Sequence, residues 1–60
     1  MNMMFSRGDK ALISNQIVTI VTVDYYDRKY PYRVEFSNGA RYWVTGEELQ
    51  PIKKNRARVV

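Results

Sequence analysis

Trp43, the chain's single tryptophan, stands beside Tyr42 and Arg41 and within one short stretch of Arg33, Tyr30, Tyr26 and Tyr25. Indole and phenol rings are stacking platforms for unpaired bases, at about 1–3 kcal/mol per base, and guanidinium groups track phosphates. Lys53, Lys54, Arg56 and Arg58 would add salt-sensitive attraction to a polyanion through counterion release. Tyr, Trp and Arg are also the residue types enriched at protein–protein hot spots, so the same set supports a second chemistry, recognition of a protein surface.

Catalysis has few candidates. The chain contains no histidine and no cysteine, which removes the commonest general base, the thiol nucleophile, disulfides and zinc sites built on Cys and His. The remaining carboxylates, lysines, tyrosines and serines need a concave, water-poor site to shift their pKa values, and a single small barrel is expected to lack one. Glu47 and Glu48 are adjacent, so on an extended segment their side chains diverge. The expectation is a non-enzymatic module with no cofactor and no metal.

The element that must position Trp43 is a hairpin running from Tyr32 to Leu49. Tyr32-Arg33-Val34-Glu35-Phe36 alternates apolar and charged residues with the period of a half-buried strand, and Asn38-Gly39 is a strong turn signal. A two-residue turn at Asn38-Gly39 would set Val34 opposite Trp43 and send the indole to the core. A three-residue loop, Ser37-Asn38-Gly39 with Gly39 left-handed, sets Phe36 against Ala40, Glu35 against Arg41, Val34 against Tyr42 and Tyr32 against Val44. The second register matches like with like: Val34, Phe36, Tyr42 and Val44 point inward, while Trp43 lies outside beside Arg33 and Glu35. It is the preferred reading, because a one-residue slip would expose the whole apolar set.

Around this hairpin, Phe5 to Lys10 opens with a turn and Ala11-Leu12-Ile13 forms a short strand. Ser14-Asn15-Gln16 is a tight connection. Ile17 to Val23 is rich in β-branched residues and reads as a strand, and its imperfect alternation points to a bulge or to burial on both faces. Asp24 to Pro31 is a polar and aromatic loop, in which Tyr25, Tyr26 and Tyr30 either contact a partner or cap an open barrel end. Gly46 to Ile52 supplies a turn, with one turn of 3₁₀ helix as an option, and a short last strand. The expected fold is all-β: a small, five-stranded, partly open SH3-like barrel over residues 5–52, filled by residues including Phe5, Tyr32, Phe36 and Tyr42. A basic, flexible tail over residues 53–60 follows.

Arg7-Gly8-Asp9-Lys10, then Ile20-Val21-Thr22-Val23-Asp24, then Tyr30 to Phe36, then Glu47-Glu48-Leu49 resembles the SH3-like barrels of the photosystem I reaction-centre subunit four family. More loosely, it is similar to KOW-type barrels of ribosomal and transcription proteins. The resemblance implies fold more than function. Val18 stands where KOW motifs carry a glycine, and the Ala-Leu-Tyr-Asp-Tyr motif of polyproline-binding SH3 domains is absent.

Charge is unevenly placed. The formal net charge is +4, and it belongs to Lys53, Lys54, Arg56 and Arg58, because the other basic residues are balanced by the acids. Nucleic acid is therefore narrowly the first expected partner, with Trp43 stacking, Arg33 and Arg41 orienting, and the tail supplying affinity. The alternative is an adaptor that docks on a protein, such as a phage or mobile-element accessory protein on a host enzyme. Edge strands of an open barrel also allow a homodimer. With neither a secretory segment nor an apolar run long enough for a membrane span, the expected location is cytoplasmic.

Overall fold

The computed structural model describes residues 5–52. Its strands are β1 (Lys10–Ile13), β2 (Gln16–Val23), β3 (Tyr32–Glu35), β4 (Arg41–Val44) and β5 (Gln50–Pro51), with a 3₁₀ turn at Gly46–Glu48. All neighbouring strands pair antiparallel in one five-stranded sheet of order β4-β3-β2-β1-β5. The chain is all-β, and its sheet remains open between β4 and β5. No helix among the described residues is long and apolar enough to cross a membrane.

β1 and β2 meet through Ser14 and Asn15, both in the left-handed region with φ of 49° and 67°. Ile13 pairs with Gln16 across them, so this two-residue connection has the backbone twist that suits adjoining strands. Before it, Gly8 donates to the Ile20 carbonyl at 2.7 Å and Ile20 donates to the Asp9 carbonyl at 2.8 Å, extending the ladder beyond β1. Gly8, with φ of 94°, provides the left-handed turn that lets the chain enter the strand.

The uneven apolar pattern of β2 has a geometric cause. Val18 and Ile20 point inward and are fully buried. The pairing with β3 then shifts between Ile20 and Thr22, leaving Val21 as the additional residue. After this bulge, Thr22 lies opposite Arg33 and Val23 opposite Tyr32, so an odd-numbered valine joins the inner face. One extra residue inverts the parity of the strand.

Phe5, Ala11, Val18, Ile20, Tyr32, Val34, Val44 and Leu49 form the core, with Ile13, Val23 and Phe36 packed at its margin. Phe5 meets Tyr32 edge to face, with centroids 5.7 Å apart. Full burial of each branched aliphatic side chain contributes about 1.5–3 kcal/mol. Such contributions matter in a chain of this length, which buries only about 60% of its unfolded surface.

Tyr42 departs from the expected core. Its partner is Val34, as the three-residue loop requires, but it is 58% exposed. β4 is an edge strand, and the Tyr42 ring meets that of Phe36 edge to face at 5.7 Å. The pleat directs the side chain inward; the open sheet leaves it wet.

Candidate binding face

The hairpin loop places the outer-face residues. Phe36 donates to Ala40 at 2.8 Å and Gly39 donates back to Phe36 at 2.9 Å, while the Asn38 Oδ1 accepts from the Ala40 amide. Gly39 has φ of 91°. This is the three-residue loop, and it fixes Arg33 opposite Trp43 and Glu35 opposite Arg41. The tryptophan is consequently outside the core and 44% exposed.

The two arginines expected to orient a phosphate are both engaged. The Arg33 guanidinium lies over the Trp43 ring, 5.9 Å from its centroid. Arg41 donates from both Nε and Nη2 to Glu35 Oε1 at 2.9 Å. These contacts are partly solvated, so each is worth no more than about 1 kcal/mol. A carboxylate thus sits beside one arginine, and a π-face beside the other.

The loop joining β2 and β3 is folded by its own carboxylates. Asp24 Oδ1 accepts from the Tyr26 amide at 3.0 Å, and Asp27 Oδ1 accepts from the amides of Lys29 and Tyr30, each at 2.9 Å. A short bond from the Asp24 amide to the Pro31 carbonyl, 2.7 Å, closes the loop at its base. The Tyr30 and Lys29 amides, chiefly, hold the Asp27 carboxyl below the usual carboxylate range, because they stabilise the ionised form.

Between this loop and β4 lies a shallow, open hollow of about 330 Å³ lined by Asp24, Asp27, Tyr30 and Trp43. Of the expected aromatic contacts, Tyr30 and Trp43 are brought together here. Tyr25 and Tyr26 are exposed on the same loop, at 66% and 95%, but do not line the hollow. Lys53, Lys54, Arg56 and Arg58 lie outside the described residues.

The loop-folding role of Asp24 and Asp27 is what sequence reasoning did not assign. Their spacing within a polar loop, each preceding amides it can accept from, was the available signal of paired Asx turns. A second missed device lies after β4. Thr45 Oγ1 accepts from the Glu48 amide and Glu48 Oε2 accepts from the Thr45 amide, a reciprocal cap on the 3₁₀ turn. Its signature, Thr45-Gly46-Glu47-Glu48, was in plain view. It assigns Glu48 to structure rather than chemistry.

The chain matches no protein-family model, no curated protein and no solved structure.

Proposed function

We propose that this chain is a non-catalytic, SH3-like adaptor whose partner is a protein, docked on the outer face formed by Trp43, Arg33, Tyr30 and the β2–β3 loop. The observation that carries this reading is the company Trp43 keeps. Its hollow is shared with Asp24 and Asp27, whose negative charge opposes a phosphate backbone at the place where a base would stack. Arg41, which would have offset it, is paired with Glu35.

A rigid aromatic anchor within a mixed-charge rim is the anatomy of a protein interface. Trp43 is exposed enough to be covered by a partner and is held on a strand rather than on a loop, which limits the ordering cost of binding. A nucleic-acid partner would have to rely on Lys53, Lys54, Arg56 and Arg58, since the acids and bases of residues 1–52 balance.

Affinity capture from nuclease-treated lysate, with quantification of each captured species, tests the proposal. The baits are wild type, Trp43→Ser, and a variant with Lys53, Lys54, Arg56 and Arg58 all changed to Gln. A protein retained by wild type and by the glutamine variant, but lost with Trp43→Ser, is the expected result. Retention that disappears with nuclease and with the glutamine variant overturns it in favour of nucleic acid.

A further inference from the structure

Resting on the protein-binding reading, we infer that the hollow between the β2–β3 loop and β4 receives a cationic side chain, lysine or arginine, from a basic segment of the partner. It is a shallow, open depression of about 330 Å³, which suits a side chain presented by a partner surface better than an enclosed free ligand. The lining is of two kinds. Tyr30 and Trp43 offer aromatic rings, and Asp24 and Asp27 offer carboxylates.

An organic cation satisfies both, and on a protein partner that means lysine or arginine. An anion is repelled by the carboxylates. A bare metal ion gains nothing from the rings, and two carboxylates fall short of a hard-cation coordination shell. A neutral apolar group leaves two charges to be covered without compensation. A lysine or arginine lays its methylene stem along aromatic surface and its charged head against the carboxylates and the π-faces.

The carboxylates are also preorganised. Asp24 Oδ1 is fixed by the Tyr26 amide, and Asp27 Oδ1 by those of Lys29 and Tyr30. Asp27 feels the charge of neighbouring Lys29, but among the described residues neither aspartate is within ion-pair distance of a lysine or arginine; the ion pair found there is Arg41–Glu35. Trp43 carries the Arg33 guanidinium over its ring at 5.9 Å, so an incoming cation meets the indole beside Arg33 and draws its charge complement from the two carboxylates.

The test uses four synthetic peptide pools of otherwise randomised sequence, with arginine, lysine, norleucine or glutamate fixed at the centre, titrated against the full chain by Trp43 fluorescence. The expected result is binding of the arginine and lysine pools at least about tenfold tighter than the norleucine and glutamate pools. Asp24→Asn and Asp27→Asn retain the Oδ1 acceptor that folds the loop and remove the charge, so together they should abolish this preference while leaving the β-sheet circular dichroism unchanged. Equal binding of the norleucine pool, or a preference unaltered in the double variant, overturns the cation inference and leaves the protein-binding reading standing. Binding of no pool, with a single-stranded oligonucleotide quenching Trp43 instead, overturns both.

Discussion

Arg33 and Trp43 face each other across the β3–β4 pair, with the guanidinium over the indole 5.9 Å from its centroid. The contact is set by hairpin register rather than by either residue's own preference. Shifting β4 by one residue against β3 would bury Trp43 and turn Tyr42 and Val44 outward. Arg33→Gln should therefore alter the Trp43 emission while lowering stability by only about 0.5–1 kcal/mol, measurable by urea denaturation followed at the sheet's far-ultraviolet signal.

The contrast between Val34 and its cross-strand partner Tyr42 is a sharper test of packing. Val34 is fully buried and Tyr42 is 58% exposed. Val34→Ala should cost about 1–3 kcal/mol through lost burial and an unfilled cavity. Tyr42→Ser should cost roughly 1 kcal/mol, chiefly the lost edge-to-face contact with Phe36. Equal destabilisation of the two variants would mean that the sheet closes over Tyr42.

Backbone conformation supplies a third prediction, in two opposite directions. A Cβ at Gly39 would meet open space, so Gly39→Ala acts only through the left-handed φ of 91° and should destabilise by about 1–2 kcal/mol. Ser14 holds φ of 49° without being glycine. Ser14→Gly should relieve that strain and raise stability by up to about 1 kcal/mol. Thermal melts of the two variants should move in opposite senses.

Acid should loosen the β2–β3 loop before it unfolds the sheet. Asp27 titrates below its ordinary range because the Tyr30 and Lys29 amides donate to its ionised form. Its contribution is present above the unfolded-state carboxylate pKa and is lost as pH falls through the lower, folded value. Amide hydrogen exchange at Lys29 and Tyr30 should accelerate on acidification relative to β2 after correction for intrinsic rates, and Asp27→Asn should remove that pH dependence.

Much of this architecture was legible in residue types. The alternation of Tyr32 to Phe36 and the like-with-like matching across Ser37-Asn38-Gly39 identify the loop, the Glu35–Arg41 pair and the outward Trp43. The uneven apolar run of β2 signals the bulge. Tyr42 was misjudged because periodicity reports the direction a side chain takes from the strand, whereas burial depends on what lies opposite, and an edge strand has a neighbour on one side only. The hollow was harder to foresee: it arises from the fold of the Asp24–Asp27 turns against β4, a tertiary juxtaposition that neither segment announces alone.

The most direct test of the proposed role follows the indole Nε1–H resonance of Trp43 and the Asp27 and Tyr30 amides in a ¹⁵N-labelled sample at about 0.15 M salt, first with single-stranded and duplex oligonucleotides and then with the captured protein partner. The account predicts that all three resonances shift with the protein and stay in place with the oligonucleotides. Shifts of the same resonances with oligonucleotide, weakening steeply as salt rises, or a protein footprint confined to β1 and β5, would contradict it.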